Sequence, residues 1–370
     1  MGGKALALNR INKNEYFEIF SELQCKISKY FNKFELIPSY YNKNSFGDMD
    51  ILCCYNNKFS IEKILNDCNS KKFVKNGNVL SLEYKNFQID IIHTKEKFFN
   101  TSLTYYSYND LGNFMGRIAA NMHINIKYGH FGLKKIFYSS NKDRIIFEAI
   151  LSTDSSKIFD FLGFSYERFM KGFNDITDIF DYVISSKYYS NHIFDYDNLN
   201  NENRTRNKKR ESYNMFLDYI NQSNKIVSKI DIDFKSRLEN YFPNVIEFEK
   251  IANEKIIHQN LLREKFNGKI FQNITSLSGK ELGKKISEFK SKYSDSFLIA
   301  KTNKEIEDLI INFCNASCIT CKHFYFYPPQ FDQPYPEISC LKKHWESIST
   351  SEEYDSLSEK NQCKDFEAKK

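Results

Sequence analysis

The chain lacks several features that would assign it to a membrane or to the secretory pathway. No run in its 370 residues approaches the roughly 18 apolar residues of a transmembrane helix. The opening stretch, MGGKALALNR, has no apolar core of the kind found in signal peptides, and Leu6 stands where a myristoylation signal needs serine or threonine. With a mean hydropathy of −0.56 and 27% charged residues, these absences predict a soluble intracellular protein, in the cytoplasm or, for a viral chain, in the host cytoplasm.

Tryptophan is also nearly absent, with one residue against 34 Phe and 24 Tyr, and cysteine is unevenly distributed. Five of the nine cysteines lie at or after position 314. Scattered thiols with one late cluster favour a reducing compartment and a metal site over disulfides. The net charge of +6 permits a nucleic-acid partner without establishing one.

The late cysteines have the spacing of a metal site. The preferred ligands, beginning with a C-x-x-C pair, are Cys318, Cys321, Cys340 and Cys363. The substitute ligands are His344, Cys314 and His323. Four cysteines can hold zinc or an iron–sulfur cluster, and the polar, aromatic surroundings favour zinc. The tail, residues 311–370, is too short to bury a sufficient core of its own and needs a metal to order it. The predicted role of this metal site is structural, or it docks nucleic acid.

Hydrophobic periodicity predicts an α+β domain at the start of the chain. The predicted elements are a helix at 15–31, strands at 34–41 and 49–55, a short helix at 60–68, and a hairpin of 78–84 with 87–93. This order is typical of a mixed sheet with flanking helices.

From about residue 144 the pattern favours helices as far as residue 310. Residues 196–211 predict an exposed loop or a helix entry, and NGK (267–269) and SLSGKELG (276–283) predict turns. The basic run RTRNKKR, residues 204–210, is either a patch that neutralises phosphates or a solvated loop.

Two aspartates open an apolar strand, where their desolvation costs free energy. Asp48 and Asp50 are separated by one residue, so both point to one face of the strand while Met49 points to the other. Two carboxylates this close repel each other and tend to share a proton. A divalent cation removes the conflict, and oxygen ligands suit Mg²⁺. A bare D-x-D pair also occurs by chance in solvated turns.

A third acid, Asp90, enters the apolar strand FQIDIIH in the same way. If this strand lies beside the first, Asp48, Asp50 and Asp90 converge at one place in the sheet. Three carboxylates can hold two Mg²⁺ ions about 4 Å apart, an arrangement that activates a hydroxyl and steadies a leaving pyrophosphate. Asp90 is then the general base or the ligand that lowers the pKa of the attacking hydroxyl.

The stretch PSYYNKNSFGDMDIL, residues 38–52, resembles the nucleotidyltransferase signature of the DNA polymerase β-like superfamily. The implied site residues are Ser39, Lys43 and Ser45 for the triphosphate, Gly47 for the sharp entry into the strand, Asp48 and Asp50 for both metal ions, and Asp90 for the catalytic one. Pro38 replaces the glycine of the family's Gly-Ser turn and offers no N–H to a phosphate.

A second stretch, YYSYNDLGNFMGR at residues 105–117, resembles the nucleotide-binding segment of family X DNA polymerases. The resemblance implies that Tyr105 and Tyr106 flank the sugar, Asp110 stacks near the incoming base, Asn113 reads the minor-groove edge of the base, and Arg117 lies against the template or the base pair. Tyr108 stands where the family prefers a small residue, so sugar discrimination does not carry over.

With a third match at 152–167 (STDSSKIFDFLGFSYE), the resemblance covers about residues 37–167. It implies a nucleotidyltransferase palm at 1–150, followed by a helical, thumb-like region that binds nucleic acid at 151–310 and the Cys-rich tail at 311–370.

The implied function is Mg²⁺-dependent transfer of a nucleoside monophosphate from a (d)NTP to a nucleic-acid 3′-hydroxyl by a small family X-like DNA polymerase. DNA is favoured over RNA, and no membrane is involved. LSGKELGKKISEFK, residues 277–290, is faintly similar to the tail of tRNA CCA-adding enzymes, which leaves template-independent RNA end transfer open. A catalytically silent nucleic-acid-binding module is the other alternative.

Overall fold

A computed structural model describes residues 5–142, 144–222, 232–315, 324–327 and 337–340, with the backbone alone at 315 and in the last two segments. The chain divides into two compact units, Met1–Asn253 and Glu254–Lys370. The predicted α+β class is confirmed, because a mixed sheet is combined with helices. The predicted domain boundaries at 150 and 310 stay predictions.

Strands dominate the first part of the chain and helices the rest. The strands are β1 (Ile11–Asn12), β2 (Phe31–Leu36), β3 (Ser45–Phe46), β4 (Asp48–Tyr55), β5 (Phe73–Asn76), β6 (Val79–Tyr84), β7 (Phe87–His93), β8 (Ile126–Gly129), β9 (Gly132–Tyr138), β10 (Ile145–Ser152), β11 (Phe324–Tyr327) and β12 (Glu337–Cys340). The helices are α1 (Lys13–Ile27), α2 (Ile61–Asp67), α3 (Phe99–Tyr106), α4 (Leu111–Asn121), α5 (Ser155–Phe161), α6 (Tyr166–Met170), α7 (Ile176–Ile184), α8 (Asn201–Lys208), α9 (Glu211–Gln222), α10 (Phe234–Tyr241), α11 (Val245–Lys265), α12 (Gly268–Thr275), α13 (Gly279–Lys292), α14 (Asp295–Ala300) and α15 (Asn303–Asn315). Short 3-10 turns lie at Ser28–Tyr30, Glu96–Phe98, Asn191–Ile193 and Tyr196–Asn198.

Five strands form the principal sheet in the order β2-β4-β7-β6-β5. β4 and β7 run parallel, with Asp50 opposite Asp90, and the other neighbouring strands are antiparallel. The predicted hairpin is present as β6 and β7, whose turn residues Lys85 and Asn86 both have positive φ, at 52° and 60°. This turn conformation matches the twist of the strands it joins.

The two faces of β4 bury different cores. Met49 and Ile51 pack on one face with α1 residues such as Leu23, whereas Leu52 packs on the other face with Phe99 of α3. Because side chains alternate along a strand, the even-numbered Asp48 and Asp50 lie on the α3 face. The two carboxylates therefore lie at the start of β4, on the same strand face as the buried, apolar Leu52.

The first helix matches its sequence pattern and is firmly capped. The Asn12 side chain accepts from the Glu15 amide while the Glu15 side chain accepts from the Asn12 amide, which is a complete capping box. Buried Ile19, Leu23 and Ile27 follow at helical spacing and join the core of the sheet. A cap of this kind contributes about 1 kcal/mol, so the chain just before α1 has a defined position.

A second hydrophobic cluster connects α4 with β8–β10 and with α5, α6, α7, α9 and α10. The aromatic ring of Phe114 in α4 lies 4.6 Å from that of Phe216 in α9 and 6.3 Å from that of Phe180 in α7, centroid to centroid. This cluster contains residues from both sides of position 150, so α4 shares its core with the helices that follow.

In the second unit, α12–α15 bury a core of their own, in which the rings of Phe266 and Phe289 stack 5.2 Å apart. The prediction of mainly helical structure from 212 to 310 is confirmed for the described residues. None of the described helices combines the length and the apolar character needed to cross a membrane.

The helical prediction from residue 144 is wrong for residues 145–152. This segment is β10, which pairs antiparallel with β9 and buries alternate residues Ala149 and Leu151. Its β-branched and aromatic residues favour a strand once a partner is available. The partner strand is β9, residues 132–138, and the local sequence pattern of residues 145–152 does not indicate this pairing.

Each of three segments predicted as a loop or turn contains the start of a helix, and for 196–211 this confirms the alternative of a helix entry. The segment 196–211 contains α8, whose N-cap Asn200 accepts from the Asn203 amide. Asn267 caps α12, and Gly279 begins α13, so the NGK and SLSGKELG segments are helix starts. Glycine and asparagine occur both in turns and at helix caps, and the sequence alone does not separate the two.

Two glycines of α4 provide a matched test of the packing. A Cβ at Gly112 would overlap the carbonyl oxygen of Tyr105, whereas a Cβ at Gly116 would meet only the Tyr128 carbonyl oxygen at 3.5 Å. We expect Gly112→Ala to lower the free energy of unfolding by about 1–3 kcal/mol, since α3 and α4 would have to separate. Gly116→Ala should raise it by about 0.5–1 kcal/mol because alanine favours the helix. Chemical denaturation measures both, and equal effects would contradict the close approach of α3 and α4.

Candidate metal and nucleotide site

Three aspartates meet where β4 and β7 run side by side. Oxygen atoms of Asp48, Asp50 and Asp90 all lie within 4.8 Å of one another. Asp50 and Asp90 are directly opposite in register, and Asp48 precedes them by one side-chain repeat on the same face. The alternation and the parallel pairing together build the cluster that the sequence predicts.

The surroundings disfavour charge on the carboxyl groups of Asp50 and Asp90. Burial, reinforced by Asp48 and Asp90, raises the pKa of Asp50 to about 7. Burial also raises the pKa of Asp90, against the opposing effect of hydrogen bonds from Ser81 and Gln88. The Gln88 amide donates to both oxygens of Asp90, at 3.0 and 3.1 Å, and so fixes the orientation of that carboxylate.

This donor set fits a hard divalent cation. A cluster of desolvated carboxylates with a raised pKa binds a cation in exchange for the lost proton. Oxygen donors alone suit Mg²⁺ rather than a softer metal. Asp48, Asp50 and Asp90 are the residues that would hold it.

Cations lie beside the loop that precedes β4. Burial lowers the pKa of the Lys43 ammonium, and the nearby charges of Asp48 and Asp50 oppose this shift. Arg10 donates to the Ser45 hydroxyl and to the Ser45 carbonyl oxygen, both at 2.9 Å. Lys13 donates to the Tyr41 carbonyl oxygen at 2.6 Å. The loop therefore combines positive charge with proximity to the acids.

The backbone of this loop is fixed by the segment 172–174. The Tyr41 and Asn42 amides donate to the Phe173 and Asn174 carbonyl oxygens at 2.8 and 2.7 Å. Gly172 makes this approach possible, since its φ is +74° and a Cβ there would lie 2.6 Å from the Tyr41 hydroxyl. The loop is thereby held in one conformation before any ligand binds.

The remaining loop residues that the sequence singled out have simpler environments. Ser39 is half-buried, Ser45 is exposed, and Gly47 is buried between β3 and β4. The Pro38 carbonyl oxygen accepts from the Tyr108 amide at 2.8 Å. The turn between α3 and α4 is therefore bonded to the start of the loop.

Two tyrosines connect that turn with the acids. The rings of Tyr105 and Tyr106 lie edge to face, 5.4 Å apart. The pKa of Tyr106 is raised to about 12 by burial and by the nearby charges of Tyr105 and Asp50. Tyr108 and Asn109 have positive φ, at 60° and 62°, which is uncommon for so bulky a residue as tyrosine. Such backbone conformations are frequent where a segment is held for binding.

The polar residues of α4 are contacted by the segment 193–212 of the same chain. Asp110 forms an ion pair with Arg210 and accepts a hydrogen bond from Ser212. The Asn113 amide donates to the Asn207 side-chain oxygen at 3.4 Å. The Arg117 guanidinium, whose pKa burial lowers, donates to the Ile193 carbonyl oxygen at 3.1 Å. The structure thus ties Asp110, Asn113 and Arg117 to α8 and its neighbours.

The predicted cysteine site stays a prediction. Cys318, Cys321 and Cys363, with His323 and His344, lie outside the described residues, and Cys340 ends β12, of which only the backbone is described. Cys314 is a half-buried free thiol in α15, and burial raises its pKa.

Two groups near the site were missed at the level of sequence. Arg10 lies just before the capping box of α1, so the sequence could have placed it at the start of that helix. Its hydrogen bond to the Ser45 hydroxyl in β3 is seen only in the structure. Tyr16 stacks on Phe46 with centroids 3.9 Å apart, close enough to the acids for their charge to raise its pKa further after burial. No sequence signal connects Tyr16 with Asp48 and Asp50, because the contact is made by folding.

The raised pKa of Asp50 predicts an unusual pH dependence. The pKa of this carboxyl group is about 7 in the folded protein, above its value in the unfolded chain. Ionisation of Asp50 therefore lowers the free energy of unfolding of the metal-free protein, and this decrease grows as the pH rises from about 4 to about 7. We expect Asp50→Asn to raise the free energy of unfolding of metal-free protein by about 1–3 kcal/mol at about pH 8, with no gain at about pH 4. Saturating Mg²⁺ should reverse the order of the two proteins.

Asp67→Asn is the control for this experiment. Hydrogen bonds from Lys29 and Tyr30 lower the pKa of Asp67, so its removal should decrease stability at neutral pH, the opposite sign. Urea denaturation across the pH range compares the two variants. A metal-free Asp50→Asn protein that is less stable than wild type at about pH 8 would contradict the mutual repulsion of the acids.

No model of a known protein family matches the chain, and no curated protein matches its sequence. The functional argument therefore depends on the residues and geometry of the site.

Proposed function

We propose that the protein is a Mg²⁺-dependent nucleotidyltransferase that adds a nucleoside monophosphate to the 3′-hydroxyl of a nucleic acid, in the manner of a small family X-like DNA polymerase. The observation that carries the proposal is the convergence of Asp48, Asp50 and Asp90 within 4.8 Å. The principal sheet is, in this proposal, the palm domain. Its strands β4 and β7 run parallel with Asp50 opposite Asp90, an arrangement that supports the proposal.

The chemistry requires a proton acceptor at the attacking hydroxyl. Two Mg²⁺ ions held by the three carboxylates would polarise this hydroxyl and neutralise charge on the leaving group. The raised pKa of Asp90 suits a base that takes the proton of the 3′-hydroxyl. The bond from the 3′-oxygen to the α-phosphorus forms, the bond from the α-phosphorus to the bridging oxygen breaks, and pyrophosphate leaves.

The loop before β4 is suited to the triphosphate. Lys43 lies close to Asp48 and Asp50, and Arg10 is held by Ser45, so two cations are available where the pyrophosphate would separate. The backbone bonds of Tyr41 and Asn42 hold this loop in place. A preorganised loop loses little entropy when it binds a flexible polyphosphate.

The tyrosine pair is suited to the nucleoside. Tyr106 is near enough to Asp50 for the carboxylate charge to raise its pKa, and Tyr105 lies beside it. Aromatic rings close to the acids can contact the sugar of a nucleotide or stack on its base. By the resemblance these two tyrosines flank the sugar, and the proximity of Tyr106 to Asp50 supports this proposed role.

Template-independent transfer is a second candidate, and one observation favours it. By the resemblance, Asn113 and Arg117 would contact the base and the template. Here both donate to groups of the same chain, Asn207 and Ile193. A helix face already engaged in this way leaves less room for a templating base pair.

Primer extension tests the proposed reaction. We expect purified protein with Mg²⁺ to extend a primer with dNTPs or NTPs, and Asp90→Asn to reduce the rate at least 10²-fold, as removal of a general base does. Glu83→Gln is the matched control, since Glu83 lies on the neighbouring strand β6 outside the triad and should leave the rate unchanged. Primer binding without extension by any nucleotide would contradict the proposal and favour a binding module.

A comparison of primers separates the two candidates. If a templating base is read, a template-recessed primer should incorporate the matched nucleotide at least about tenfold faster than a mismatched one, equivalent to about 1.4 kcal/mol. If the α4 face is closed to a template, a single-stranded primer should be extended with the same nucleotide preference as a recessed one. The ratio of incorporation rates for the four nucleotides on each primer is the measurement.

A further inference from the structure

We propose that the outer face of α8 with its C-cap residue, formed by Arg206, Lys208 and Lys209, binds the phosphodiester backbone of the acceptor strand whose 3′ end enters the aspartate site. The inference rests on the proposed function, because that function defines which strand is held. It assigns a role to the basic run 204–210, which the catalytic residues do not explain.

Part of the basic run anchors α8. Arg204 donates to the carbonyl oxygens of Tyr196, Asp197 and Leu199, at 2.9, 3.4 and 3.2 Å. Asn207 is 1% exposed and accepts from Asn113, and Arg210 pairs with Asp110. Arg204, Asn207 and Arg210 thus fix α8 and the residues that follow it on α4 and on the preceding turn.

The other cations of the run remain available. Arg206, Lys208 and Lys209 are exposed, and none of them pairs with a carboxylate of the described residues. The Lys208 ammonium lies over the Tyr196 ring at 5.6 Å, a contact that leaves its hydrogen-bond donors free for another partner. A rigid support with three uncompensated cations is a surface for a polyanion.

The position of this face points to the acceptor strand. Arg206 and Arg210 are near enough to Tyr105 to oppose the burial that raises its pKa. Tyr105 contacts Tyr106, which is close to Asp50. The contacts follow the same order. Asn207 of α8 accepts from Asn113 of α4. The helix α4 approaches α3 so closely that a Cβ at Gly112 would overlap the Tyr105 carbonyl oxygen, and α3 packs on the face of β4 that carries the acids. In this proposal the α8 face holds the phosphates that precede a 3′-hydroxyl placed at the acids.

Positive charge at the end of α8 also offsets the helix dipole, so the experiment must separate binding from stability. The test is the double variant Arg206→Gln/Lys209→Gln, with Lys71→Gln/Lys75→Gln as the control. The control lysines are exposed, in and just before the edge strand β5, and their replacement changes the net charge equally. Denaturation curves of both variants show whether the fold is kept.

Binding of a labelled single-stranded oligonucleotide is measured without Mg²⁺ by anisotropy, over salt concentrations from about 50 to 200 mM. We expect the α8 variant to reduce the salt slope of log K by about 1.4, the contribution of two single-strand phosphate contacts, and to weaken binding about tenfold near physiological salt. The KM for the primer should rise by a similar factor, with kcat and the KM for the nucleotide unchanged. DNA and RNA oligonucleotides are compared, since both offer the same phosphates.

A salt slope equal to that of wild type, or an equal change in the control variant, would overturn the inference. Failure of the proposed function gives a different result, because extension would then be absent while the binding slope still responded to the α8 substitutions. A folded α8 variant with normal binding but a changed kcat would also overturn it, since the face would then act on chemistry and not on the strand.

Discussion

The repulsion among Asp48, Asp50 and Asp90 is the interaction on which the rest of the site depends. The parallel pairing of β4 with β7 holds the three carboxylates within 4.8 Å, and burial raises the pKa values of Asp50 and Asp90. A fold maintains such an unfavourable cluster only when surrounding packing stabilises it. Here the opposite face of β4 buries Met49 and Ile51 in the core of the sheet.

The segments around the acids are connected mainly through backbone hydrogen bonds. The loop before β4 is bonded to residues 173 and 174, and Pro38 is bonded to Tyr108. The helix α4 is in turn held by side chains, through Asn113 to Asn207 of α8 and through its N-cap Asp110 to Arg210, which follows α8. The loop before β4 and the helix α4 therefore both depend for their positions on segments that follow the sheet in the chain. Substitutions in those helices should alter ligand positioning as well as stability.

The sequence predicts those parts of the structure that depend on local periodicity. Alternation places Asp48 and Asp50 on one face of a strand, and the hairpin pattern places Asp90 in a second strand. The parallel pairing of β4 with β7 that brings the three together joins strands that are not consecutive in the chain, and local periodicity does not predict it. The strand at 145–152 is not predictable locally, since its partner β9 determines its conformation. The contacts of Arg210 with Asp110 and of Asn207 with Asn113 join residues about a hundred positions apart, and periodicity carries no information about them. Arg10 is predictable in part. The capping box indicates that it precedes α1, but nothing in the sequence indicates its hydrogen-bond partner Ser45.

Counting bound metal ions tests the central claim most directly. The measurement is electron paramagnetic resonance of Mn²⁺ bound to the protein with a nucleotide analogue that cannot release pyrophosphate. Three carboxylates that serve two ions about 4 Å apart predict two Mn²⁺ per chain, magnetically coupled to each other, and the loss of coupling in Asp90→Asn. A single uncoupled ion, or binding that is equal in wild type and Asp90→Asn, would contradict the assignment of these aspartates to a two-metal centre.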